Sequence, residues 1–221
     1  MTKEHFQEIR ALSYSIQNKG FNLEENQQDY SGALIEINRA LKVWTAIKDT
    51  ANQANSLKYR GYLLGKLHMF KDGKKDISLA IKLYLMLGNS NGVIVSKFDF
   101  CKLYESEGKF DSALYLCNLC RKYWDSVNNV IRTVIVNNEL MNIYCKLQKY
   151  SEAKIVQLAS SKLVSSNDVN WRSLIDFYYL SAFIYKNVGD LKSSSHFDTM
   201  YNSEISNLKS DNPNVKANYS F

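Results

Sequence analysis

Aromatic residues stand at Tyr30, Phe70, Phe110 and Tyr150, three equal steps of 40 residues, and a fifth rung falls at Leu191 after one inserted residue. A period of this length constrains folding severely. One such unit is too short to bury a core alone and becomes stable by stacking on copies of itself. In a chain that is 13% aromatic, a single ladder can arise by chance. Two small-residue ladders in the same register argue against chance: Ala33, Gly73, Ala113, Ala153 and Ser194 lie three residues after the rungs, and Ala40, Ala80, Cys120 and Ser160 lie ten after. Bulky Trp44, Tyr84, Trp124 and Val164 come fourteen after, and Leu64, Tyr104, Tyr144 and Tyr185 come six before.

One proline and nine glycines in 221 residues leave few helix breakers, which excludes a turn-rich β-sandwich, and 45% hydrophobic content excludes a mainly disordered chain. The chain therefore reads as all-α. Each unit places one apolar helical pattern before its rung and one after it, as in Phe98–Tyr104, then Gly108-Lys109-Phe110, then Asp111–Cys117. Helices are expected at 3–19, 28–48, 51–69, 74–87, 91–106, 110–126, 130–147, 150–165, 169–187 and 191–208. Gly88, Gly108 and Gly189 supply stops. The polar run from Gly20 to Gln28 reads as a long first turn.

The helix pair with Tyr104, Gly108-Lys109-Phe110, Asp111-Ser112-Ala113 and small Cys120 resembles the tetratricopeptide repeat (TPR) family. The resemblance recurs in Tyr144 with Tyr150-Ser151-Glu152-Ala153 and in Tyr185 with Gly189-Asp190-Leu191. HEAT and armadillo repeats share the 40-residue period and rank second. The resemblance implies a right-handed superhelical α-solenoid of about five helical hairpins, a long-helix variant of the usual 34-residue unit. It would form a single domain over residues 1–208, with units at about 3–49, 50–89, 90–128, 129–167 and 168–208 and a polar tail at 209–221.

Nothing in the motifs supports catalysis, so the chain is expected to be no enzyme and to need no cofactor or metal. It has no glycine-rich phosphate loop, paired-histidine metalloprotease motif or nucleophile elbow. Cys117 and Cys120 form a C-x-x-C pair, but Cys120 fills the slot held by Ala40, Ala80 and Ser160, and His5, His68 and His196 are scattered. All four cysteines read as reduced core thiols. The chain shows no leader and no apolar run long enough to cross a membrane, so a cytoplasmic location and no membrane partner are expected.

In the TPR family the first helix of each pair lines a concave groove. Stepping back twelve, eight and four residues from each rung projects that lining onto Lys58, Tyr62 and Lys66; Phe98, Lys102 and Ser106; Asn138, Asn142 and Lys146; and Tyr179, Phe183 and Asn187. The mixture of amides, aromatics and lysines suits an extended protein or peptide segment, acidic ones included. Asn138 and Asn142 are the first candidates, because asparagine is a mediocre helix former. Some family members hold a terminal carboxylate in a lysine–asparagine clamp. Here Lys58 fits one clamp position, but Tyr62, Asp99 and Glu139 depart from it, which speaks against that client.

The reading is a protein- or peptide-binding scaffold, adaptor or regulatory subunit. A peptide-sensing regulator that changes superhelix shape is the alternative, for which a DNA-binding segment is expected ahead of the repeats and none is read between Met1 and the first of them. Nucleic-acid binding ranks last: the net charge of +6 is modest and forms no basic stripe.

Overall fold

The structure, a computed structural model, describes residues 3–166 and 169–211. It contains α1 (Lys3–Gln27), α2 (Tyr30–Ala46), α3 (Thr50–Lys66), α4 (Phe70–Met86), α5 (Ser90–Ser106), α6 (Phe110–Ser126), α7 (Val130–Lys146), α8 (Tyr150–Ser166), α9 (Trp171–Asn187) and α10 (Leu191–Asp211), with no strand among the described residues. Helices α2 to α9 are all 17 residues long. Each rung of the ladder is the first residue of an even-numbered helix. The 40-residue unit is thus two equal halves, each a helix of about 25 Å followed by a three-residue turn.

The turns explain the regularity. Lys48, His68, Gly88, Gly108, Asn128, Gln148 and Gly189 all have positive φ, between 52° and 82°. In each turn the N–H of this residue donates to the carbonyl three back, and the next N–H donates to the carbonyl five back, as from Lys48 to Thr45 and from Asp49 to Trp44. This pair of bonds satisfies carbonyls that a helix end would otherwise leave open. The residue five back is Trp44, Leu64, Tyr84, Tyr104, Trp124, Tyr144 or Tyr185, so the two bulky ladders mark one position at successive helix ends. The residue that closes one helix then caps the next: Asp49, Asn89, Asn129 and Asp190 accept from the N–H three residues on, at 2.8–3.1 Å.

Small residues bring the paired helices together. Ala33, Gly73, Ala113, Ala153 and Ser194 are all buried. A Cβ at Gly73 would come within 2.8 Å of the Gly61 carbonyl oxygen and 2.7 Å of Leu103 Cδ1, so α3 and α4 touch backbone to backbone there. Ser194 uses the same slot differently, donating from its hydroxyl to the Ala182 carbonyl at 3.0 Å.

Two expected boundaries need correction. Helix α1 does not stop near residue 19 but runs through Gly20 to Gln27. Gly20 is buried, and a Cβ there would lie 3.1 Å from Ile37 Cδ1. It serves close packing on α2 and is not a terminator. At the other end α10 reaches Asp211, so residues 209–211 of the expected tail are helical, while 212–221 lie outside the described residues.

The chain divides into two compact units, Met1–Lys109 and Phe110–Phe221, at the turn between α5 and α6. In the first unit, Leu41, Ala54, Leu57, Ala80, Tyr84 and Val93 form a core that joins α2 to α5. Arg60 on α3 fastens its edge, donating to both Asp76 carboxylate oxygens at 2.6 and 2.8 Å and to Asn38 Oδ1 at 3.0 Å. Buried Glu36 accepts from Lys19 at 2.7 Å and from Arg39 at 3.1 Å. In the second unit the core includes a polar seam. Gln157, fully buried, donates to Ser161 and Ser181 and accepts from the Tyr185 hydroxyl, and Asn137 donates to Ser160 beside it.

Three stability measurements check this account. At Gly108 a Cβ would meet no atom within 4 Å, so Gly108→Ala should cost about 1 kcal/mol through backbone strain alone. Lys48→Gly should instead gain up to about 1 kcal/mol by relieving the same conformation. Gly73→Ala should lower Tm, costing about 1–3 kcal/mol, whereas Gly65→Ala, whose Cβ would meet Leu103 at an ordinary 3.6 Å, should raise it slightly. The third concerns acid. Hydrogen bonding to Lys19, and the charges of Lys19 and Arg39, hold Glu36 below its ordinary value of 4.5. A depressed carboxylate contributes fully above its unfolded value and is lost as pH falls through its folded one. Denaturation followed from about pH 5 to about pH 3 should therefore show a shallower loss of stability in Glu36→Gln than in the parent chain.

Candidate functional site

In the first unit α3 packs beside α5, and the two helices enclose a cleft lined by Tyr62, Gly65, Lys66, Asp99, Lys102, Leu103 and Ser106. Four of these, Tyr62, Lys66, Lys102 and Ser106, are residues that the projected groove contained. The absence of a side chain at Gly65 opens the α3 wall opposite Leu103. The Lys102 ammonium sits 5.0 Å from the Phe98 ring centre and 5.8 Å from that of Tyr62, and Lys66 lies 5.6 Å from Tyr62 on the same helix. Ring faces attract cations, so the aromatics hold the ammonium of half-buried Lys102 in place. Among the described residues no carboxylate pairs with Lys102.

Tyr62 is the pivot of the cleft. Its hydroxyl donates to Glu24 Oε1 at 3.2 Å, and the Tyr59 hydroxyl donates to Glu24 Oε2 at 3.2 Å. Burial, reinforced by the neighbouring Glu24 charge, pushes the Tyr62 hydroxyl far above its ordinary value, so it remains a neutral donor. Phe21 meets the Tyr59 ring edge-on at 4.5 Å and fixes the last turns of α1 over α3. Glu24 was missed because it fell in the stretch read as a turn. Its signal was present, since Gln17, Phe21 and Glu24 continue the three-and-four spacing of α1.

The remaining groove candidates do not all reach a surface. Phe98 is 3% exposed and Asn138 is 5% exposed, so both are core residues. Asn138 donates from Nδ2 to the Ser173 carbonyl at 2.8 Å, tying α7 to the first turn of α9, and its Oδ1 is buried without a partner. It therefore supports packing and does not front a groove. Asn142 is half buried and Lys146 exposed on α7. On α9, Tyr179 contacts Tyr201 with ring centres 5.6 Å apart, Phe183 lies 6.1 Å from Tyr150, and exposed Asn187 donates to the Phe183 carbonyl of its own helix. Lys58 is half buried, one turn before Tyr62 on α3.

Cys120 is fully buried, as are Ala40, Ala80 and Ser160 in the matching slots. Cys120 and Cys145 are thiols outside any disulfide, and burial pushes the Cys145 thiol up to about 12. The expectation of four reduced thiols fails at Cys101 and Cys117, which are in the disulfide state. Spacing along a helix reports which face a sulfur occupies, not its oxidation. No cluster of three or more His, Cys, Asp or Glu residues able to hold a metal occurs among the described residues. No described helix is long and apolar enough to cross a membrane.

No protein-family model and no curated protein matches this sequence. Solved structures do match the fold. BtubC (BKLC) from P. vanneervenii is similar with a TM-score of 0.71 at 15% identity, over 97% of this chain and 92% of that one. A Podosopora anserina protein of the kinesin light chain type, built of nearly identical TPR-like repeats, gives 0.64 at 10% identity, over 90% and 96%. A Rap protein complexed with competence and sporulation factor gives 0.65 at 14% identity, over 92% of this chain and 66% of that one. With ten helices in repeated hairpins among the described residues, the chain has a TPR-like helical repeat fold.

Proposed function

We propose that this chain is a non-enzymatic module that binds an extended protein or peptide segment, with the α3/α5 cleft as a contact point for an acidic side chain. One observation carries the reading: Lys102 is a half-buried ammonium, positioned by two rings, that forms no ion pair with a carboxylate among the described residues. Partial burial of a charge is costly unless it is compensated, and a carboxylate from outside supplies the compensation. Asp99 lines the same cleft, which limits the excess positive charge and favours a ligand with few acidic groups over a polyanion. The Rap protein of similar fold was crystallised with a factor bound, which is consistent with ligand binding on such a scaffold. Lys58 extends the proposed contact surface along α3, and within the second unit Asn142, Lys146, Tyr179, Phe183 and Asn187 are proposed as contacts of their own.

A random-peptide display selection against the full chain tests this. Selected peptides should be enriched in acidic residues, and Lys102→Glu should weaken them by about tenfold or more while helicity and Tm stay unchanged. Selection of peptides without acidic enrichment, or equal binding by the variant, would remove the cleft from the function.

A further inference from the structure

Tyr62 separates two charged groups, neither of which is in an ion pair among the described residues. Lys102 lies over one face of its ring, and at its hydroxyl stands Glu24, held by two tyrosine hydroxyls. Neither hydroxyl neutralises a carboxylate, and no cation pairs with Glu24 among the described residues. Glu24 is half buried and stands at the Tyr62 hydroxyl beside the cleft, held there by its two tyrosine donors and by the packing of Phe21 on Tyr59. A purely acidic ligand would meet repulsion at this end. A basic side chain would find a carboxylate already oriented.

Resting on the reading of Lys102 given above, we infer that the cleft recognises a dipolar segment, one with an acidic side chain at Lys102 and a lysine or arginine at Glu24. An extended ligand advances about 3.3 Å per residue, so a spacing of three or four residues between its two charges spans Tyr62. Opposite charges at fixed separation give specificity through mismatch as much as through attraction. A segment with only acids is repelled at Glu24, and one with only bases is repelled at Lys102. The C-terminal turns of α1 are thereby a working part of the site.

The test uses the full chain and three capped tetrapeptides followed by NMR titration: Lys-Ser-Ser-Glu with both charges, Gln-Ser-Ser-Glu with the acid alone, and Lys-Ser-Ser-Gln with the base alone. The dipolar peptide should bind about threefold to tenfold more tightly than either single-charge peptide, with shifts centred on α3 and α5. Glu24→Gln keeps an acceptor oxygen for one tyrosine and offers its amide N–H to the oxygen of the other, as circular dichroism will check for the fold, and should erase the advantage over the acid-only peptide. Lys102→Gln should erase the advantage over the base-only peptide. If Glu24→Gln leaves the advantage intact while Lys102→Gln weakens the acid-only peptide, the dipolar inference is wrong and the Lys102 reading stands. If Lys102→Gln changes nothing, or no peptide shifts any resonance, both fall.

Discussion

A left-handed residue at a helix end closes two hydrogen bonds at once and delivers its successor as the cap of the following helix. Among the described residues the two bonds close seven turns, from Lys48 to Gly189, and at four of them the successor, Asp49, Asn89, Asn129 or Asp190, caps the next helix with its side chain. Because each turn uses three residues and leaves no slack, helix length, hairpin pitch and side-chain register are fixed together. The placement of Gly73 against Gly61, or of Lys102 over Tyr62, depends on that register. The cost falls on turns without glycine: Lys48, His68, Asn128 and Gln148 adopt a conformation that penalises a Cβ by about 1–2 kcal/mol. The carbonyls satisfied in exchange belong to buried or half-buried Trp44, Leu64, Trp124 and Tyr144.

How much of this was legible in the sequence depended on whether a feature repeats. The small-residue slots and the glycine stops are periodic, and the structure places Ala33, Ala40, Ala80, Ala113, Cys120 and Ala153 in the core. The equal half-unit was hidden because the two helices of a pair differ in composition, and because turns without glycine carry no distinctive residue. Gly20 misled because glycine has two uses, ending a helix and admitting a neighbour, and only the identity of that neighbour tells them apart.

The groove candidates show a geometric error with a simple cause. Steps of four residues advance an α-helix by about 40° beyond a full turn, so three such positions sweep through about 80°. The observed exposure follows this rotation. The members nearest the rung, Lys66, Ser106, Lys146 and Asn187, are exposed; the middle members, Tyr62, Lys102, Asn142 and Phe183, are half buried; of the farthest, Phe98 and Asn138 are in the core while Lys58 and Tyr179 are half buried. Asparagine at 138, expected as a groove contact, is engaged with the Ser173 carbonyl on α9. A contact 35 residues away in sequence has no local signature.

Asp49, Asn89, Asn129 and Asp190 each belong to two helices, as the last bond of one and the first cap of the next. Such a joint has no tolerance for an added or deleted residue, since shifting it by one uncaps both neighbours and turns their packed faces by about 100°. Descendants of this chain can therefore change length at their ends, by gaining and losing whole helical steps, or at a connection outside these joints, as the one inserted residue between α8 and α9 shows, but hardly at all within the joints. The inheritance of such a gene is granular: duplication is an easier path to a new ligand surface than insertion.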